Sequence, residues 1–109
     1  MSPAARIADL NDLLRTTFLT GKVVMTEGIA ALPEQLRSLI VEKVQGFAAF
    51  TPDNDPYGEH DFGGIDIAGV GKVFWKIDYY DRDYTFHSGD ATDPTKTRRV
   101  LTIMLASEY

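Results

Sequence analysis

The chain has 109 residues, no cysteine, and a net charge of −5 from 11 basic and 16 acidic side chains. Its length sits in the usual range of about 100–150 residues for one domain, and the lack of cysteine excludes disulfides, thiolate metal sites and a cysteine nucleophile. No apolar run approaches the roughly 20 residues of a membrane span and Met1–Arg6 carries no secretory signal pattern, so a soluble cytoplasmic protein with no membrane partner is expected.

The first predicted element is a helix. Ser2 supplies a cap oxygen and Pro3 fits the first turn. Ile7, Leu10, Leu14 and Phe18 then recur at helical spacing, with Arg6, Asp9, Asp12 and Arg15 assigned to the surface. After Gly21, the β-branched run Lys22–Met25 reads as a short strand, and Thr26 as the cap of a short turn over residues 28–32. Pro33 opens a second helix that buries Leu36, Leu39, Ile40 and Val44 and stops at Gly46.

Beyond Gly46 the pattern becomes strand-like. Phe47–Phe50 reads as a short strand, residues 51–63 as an Asp-, Asn-, Pro- and Gly-rich loop, and Ile65–Ile67 as a strand before the Gly69-Val70-Gly71 turn. Lys72–Tyr80 is the clearest strand, with Val73, Trp75, Ile77 and Tyr79 on one face and Phe74, Lys76, Asp78 and Tyr80 on the other. Tyr84–His87 reads as another strand, and residues 88–97 as a second polar loop. The last strand, Arg99–Ser107, is apolar on both faces, as in a central strand covered on both sides. The sum is an α+β domain, two N-terminal helices packed on a mostly antiparallel sheet of about five strands.

Charge is unevenly distributed. Residues 1–52 are net neutral, residues 53–93 carry 10 acids against 3 bases, and residues 94–109 are net +2. The acidic segment also holds 8 of the 12 aromatic residues. A nucleic-acid binder needs a basic stripe, and Lys96, Arg98 and Arg99 alone do not make one, so direct nucleic-acid binding is not expected.

Three blocks carry a family resemblance: Asp55-Pro56-Tyr57-Gly58-Glu59-His60-Asp61-Phe62-Gly63, Trp75-Lys76-Ile77-Asp78-Tyr79-Tyr80, and the run from Thr97 to Ala106 with Glu108-Tyr109. With Arg6, Leu10, Asn11 and Arg15, they make the sequence similar to a family of small bacterial proteins described only as a domain of unknown function. The resemblance supplies no activity, cofactor or catalytic residue. It implies a genomic setting, proteobacterial plasmids and integrative elements, whose cargo serves transfer, maintenance or evasion of host defence.

The densest cluster of polar chemistry is residues 53–61, where Asp53, Asp55, Glu59 and Asp61 crowd around His60 and Tyr57. Such a loop must turn its carboxylates to solvent, pair them with bases, or hold a cation. Asp53, Asp55 and Gly58 match positions one, three and six of a calcium loop, but Gly64 stands where the bidentate glutamate is required. A transition metal on His60 with Glu59 or Asp61 needs a further ligand such as His87 or Asp78. Lys76 and Asp78 share a strand face with Tyr80, which predicts an ion pair of Lys76 with Asp78 or Asp66. His87-Ser88 lacks the surroundings of a serine nucleophile.

These features favour a non-enzymatic protein-binding module with no cofactor and no metal. Its docking residues would be Asp53, Asp55, Tyr57, Glu59, His60, Asp61, Lys76, Asp78 and Tyr80. In the mobile-DNA setting its partner would be a nucleic-acid-binding host defence protein, inhibited by nucleic-acid mimicry in the anti-CRISPR or antirestriction manner. The alternatives are a metal-dependent hydrolase built on Asp55, Glu59, His60, Asp61 and Asp78, and a structural homodimer through the last strand.

Overall fold

The structure, a computed structural model, describes all 109 residues. Helix α1 (Pro3–Thr17) starts where Ser2 Oγ accepts a hydrogen bond from Ala5 N at 3.1 Å. It ends at Phe18, which takes the left-handed conformation (φ 60°) and donates its N–H to the Leu14 carbonyl. Strand β1 (Lys22–Met25) leads to a one-turn helix α2 (Glu27–Ala30), then to α3 (Glu34–Gln45), entered through Pro33 and closed at Gly46. Strands β2 (Phe62–Ile67), β3 (Gly71–Tyr80) and β4 (Arg98–Leu105) follow, and a 3-10 turn at Ala106–Glu108 ends the chain.

The architecture is α+β, with three helices and a mixed four-stranded sheet in the order β1-β4-β3-β2. β3 pairs antiparallel with both β2 and β4, whereas β1 runs parallel to β4. The sequence expectation of five strands and two helices thus needs correction at three places.

Phe47–Phe50 forms no strand. Its two phenylalanines lie 5.0 Å apart on the same side and both rings meet Trp75 edge-on, a packing that strand alternation forbids. Tyr84–His87 contributes only a single bridge between Tyr80 and His87. There the Asp81 carboxylate accepts from Asp83 N and Thr85 N, and Tyr84 sits at φ 58°, so the local turn outcompetes extension. The stretch after Thr26 is the helix α2, tied from outside: Glu108 accepts from Gly28 N at 2.9 Å and from the Thr26 hydroxyl at 2.6 Å.

One sheet face carries the core. Val73, Trp75, Ile77 and Tyr79 of β3 and Leu101 and Ile103 of β4 pack with Leu14 of α1, Ile29 of α2, and Ile40 and Val44 of α3. Trp75 is fully buried, its indole edge lying over Gly63 of β2, where a Cβ would meet Nε1 at 2.4 Å. No helix lies on the opposite face. Across it run Phe62, Phe74, Lys76, Asp78 and Tyr80, then Val100, Thr102 and Met104, then Val24. Only Met104 among them is buried, beside Phe74 and its cluster with Phe62 and Tyr109.

Candidate functional site: the acidic loop and the uncovered sheet face

The loop between α3 and β2 folds on its own polar side chains. Asn54 Oδ1 accepts from Thr51 N and its amide donates to the Ala49 carbonyl, while Gly58 turns the chain at φ 68°. His60 takes a left-handed backbone (φ 55°), and its N–H donates to the Asp55 carboxylate at 3.2 Å. The Asp55 side chain is therefore only 6% exposed. The His60 ring stacks flat on Phe50 at 3.9 Å, and its Nδ1 lies 3.0 Å from both carboxylate oxygens of Asp12 on α1.

Asp12 also accepts from Arg15 Nη2 at 3.0 Å. Arg15, expected on the surface from its sequence position, is 3% exposed. Its Nη1 donates to the Val44 and Gln45 carbonyls, satisfying the C-terminal end of α3, and its guanidinium lies over the rings of Phe50 and Trp75.

Deeper in, Asn11 donates to the Glu59 carbonyl at 2.9 Å and to the Tyr79 hydroxyl at 2.8 Å. Tyr79 in turn donates to Glu59 Oε1 at 2.9 Å. Arg99 Nε donates to Asn11 Oδ1 at 2.8 Å, Arg99 Nη2 donates to the Ala91 carbonyl, and its guanidinium covers the Tyr79 ring. Burial, and after it the Glu59 charge, holds the Asp61 carboxyl above the ordinary carboxylate range. Burial also pushes the Tyr79 phenol far above its usual value, which suits it as a donor and not as a base. Arg99 is lowered by burial, an effect opposed by Tyr79 and Glu59.

The nine residues expected to dock a partner thus divide. Asp53 and Tyr57 are exposed, the latter by 80%, at the loop tip beside a shallow depression of about 410 Å³. Asp55, Glu59 and His60 point inward and fasten the loop to α1 and β3. Lys76, Asp78 and Tyr80 lie on the uncovered sheet face, with Lys76 Nζ 3.1 Å from Asp78 Oδ2, the ion pair expected from their spacing. Asp66 pairs instead with Lys72 at 3.0 Å. Asp61, at the start of β2, links the two regions, since both Glu59 and Asp78 raise its pKa.

No three His, Asp or Glu side chains converge with metal-holding geometry. Ser88 is buried and shares a hydrogen bond with Thr97, and His87 is exposed. Sequence reasoning overlooked the polar interior, Asn11, Arg15, Tyr79 and Arg99, as site residues. The available signal was the spacing of Asn11 and Arg15, four apart and next to the apolar stripe of Leu10 and Leu14.

No helix is long and apolar enough to cross a membrane. No curated protein and no solved structure matches this chain. Residues 25–108, which leave out α1, match the family described as "Protein of unknown function (DUF3768)", and the chain belongs to that family.

Proposed function

We propose that this chain is a non-enzymatic protein-binding module that docks a protein partner through the uncovered face of its sheet. The observation that carries this reading is the one-sided packing of the sheet. All three helices serve the core face, while Phe62, Phe74, Val100 and Thr102 stay partly exposed on the other and Val24 is 40% exposed. A contiguous apolar surface rimmed by polar groups is the anatomy of an interaction site. The rim here is acidic on the loop side, with exposed Asp53 and half-buried Asp61, and Tyr109, 75% exposed, stands at its edge.

The partner that fits has an apolar centre and a basic rim, as nucleic-acid-binding proteins do, and an inhibitor of host defence carried by mobile DNA is the role we assign. The reading rests on docking more than on mimicry, because the loop turns the Asp55 and Glu59 carboxylates inward.

Affinity capture from nuclease-treated host lysate tests it, with wild type, Phe74→Glu and Asp53→Lys as baits. Trp75, buried under the opposite face, reports by its fluorescence that each variant is folded. A stoichiometric partner lost with Phe74→Glu, and weakened by Asp53→Lys and by added salt, supports the proposal. A partner held equally by Phe74→Glu, or no partner at all, overturns it.

A further inference from the structure

The sheet ends on one side at β1 and on the other at β2, with β4 and β3 between them. The two edges are not equivalent. β1 has four residues, and the Thr26 N–H just beyond it donates inward to the Ile103 carbonyl, so its backbone turns only Val23 and Met25 outward. At the start of β2 the Asp61 carbonyl accepts from Ile77 N at 2.8 Å. Alternation then points the backbone groups of Gly63, Ile65 and Ile67 toward β3 and those of Phe62, Gly64 and Asp66 away from it. No other element donates to or accepts from the backbone of these three residues, so the outer edge of β2 carries three N–H and three C=O groups without a protein partner. Gly64 and Asp66 are exposed.

Proteins blunt such edges with proline, lysine or a bulge. β2 has none of these. Its register with β3 is unbroken from Phe62–Lys76 to Ile67–Gly71, and its one charged side chain, Asp66, is already paired with Lys72 at 3.0 Å. The middle of the strand is also bare of side chains. On the core face Gly63 gives its place to the Trp75 indole, and on the open face Gly64 lies beside the Phe74 ring.

We propose that β2 is a self-association edge, where a second copy of this chain adds its own β2 antiparallel to the first about a two-fold axis at Gly64. The register argues for this occupant. With Gly64 opposite the second copy's Gly64, and Phe62 opposite the second copy's Asp66 on either side of the axis, every outward N–H meets an outward C=O. A shift along the strand leaves some of these groups unpaired. The single charge of each β2 then faces an aromatic ring and not its like, and the glycines at the axis bring no side chains into collision. The product is a sheet of eight strands, four from each copy. Its open face runs from one Phe62–Phe74–Tyr109 cluster to the other. The edge lies in the plane of the sheet, so the pairing does not rest on a partner docked against the open face.

Sedimentation equilibrium of the full chain tests it, up to about 1 mM so that weak association registers. Gly64→Glu, Gly64→Lys and an equimolar mixture of the two are run beside wild type. Residues opposite each other in such a pair are about 5.5 Å apart between Cα atoms, close enough for like charges to repel and unlike charges to attract. The expected result is a concentration-dependent dimer for wild type, monomers for each variant alone, and a dimer again in the mixture. The emission of buried Trp75 reports that the variants are folded. Amide hydrogen exchange of wild type needs no substitution. Exchange at Phe62, Gly64 and Asp66 should slow as concentration rises, while Val23 and Met25 on the other edge should not change. This second measurement decides alone where a variant fails to fold. A wild type that stays monomeric, folded variants that dimerise as wild type does, a folded mixture that fails to restore the dimer, or unchanged exchange along β2 overturns the proposal.

Discussion

Arg99 Nε lies 2.8 Å from Asn11 Oδ1, a hydrogen bond that joins α1 to β4 across 88 residues of sequence. Asn11 is fully buried and uses its amide nitrogen as well, on the Glu59 carbonyl and the Tyr79 hydroxyl. One side chain therefore fastens a helix, a loop and two strands. Asn11→Ala would leave Arg99 Nε and the Glu59 carbonyl without partners in a place that water does not reach. The expected loss is about 2–3 kcal/mol, read as a lower urea midpoint at unchanged slope.

Gly63 tests the packing of the core. An added Cβ would fall 2.4 Å from Trp75 Nε1 and 2.7 Å from Cε2, and the indole is fully buried. Gly63→Ala should lower stability by about 1–3 kcal/mol and shift the emission of Trp75, the only tryptophan. Gly64→Ala, with its nearest contact at 3.2 Å against the side chain of half-buried Phe74, should cost less.

Asp61 sets a dependence on acid. Its carboxyl is raised above the ordinary carboxylate range by burial first and by Glu59 second, so the folded chain holds that proton more tightly than the unfolded chain. Its charge therefore weakens the fold at neutral pH, and the penalty is relieved as pH falls through the folded value. Asp61→Asn should raise the melting temperature at pH 7, and the difference should shrink on acidification. A variant less stable than wild type at pH 7 would contradict this.

Tyr79 sets the alkaline limit. The raised phenol means that the unfolded chain loses its proton first, so this contribution to stability is complete below the unfolded value of 10.0 and is lost as pH rises above it. Following tyrosinate absorbance, one of the five tyrosines should ionise only with unfolding. In Tyr79→Phe that late fraction should be absent.

The elements legible in the sequence were those whose apolar period matches their environment. β3 alternates cleanly because one face is core and the other is not, and α3 keeps Ile40 and Val44 on one stripe. The failures occurred where side chains act against the local pattern. Phe47 and Phe50 have strand composition but are held by Trp75, and Tyr84–His87 yields to the Asp81 turn. Arg15 reads as a surface residue until the carbonyls of α3 are placed beside it, a contact no local window contains. The loop 53–61 is recognisable in the sequence as crowded with charge, but its inward carboxylates are held by donors that the sequence does not place beside them: Asp55 accepts from the His60 N–H and Glu59 from the Tyr79 hydroxyl, while the His60 ring turns to Asp12 of α1.

The position of β4 in the sheet has a consequence for how the chain is made. The strand of this sheet that comes last in chain order is a central one: β1 pairs only with β4, through Lys22–Val100 to Met25–Ile103, and β3 has β4 as one of its two neighbours. While the ribosome still holds residues 98–105, only the β2–β3 hairpin has its partner. The early helices must wait with their apolar stripes unburied, and helices this short are marginal alone. Emergence of residues 98–105 is then the event that allows the domain to close, and until β4 arrives the earlier elements stay exposed to chaperones and proteases.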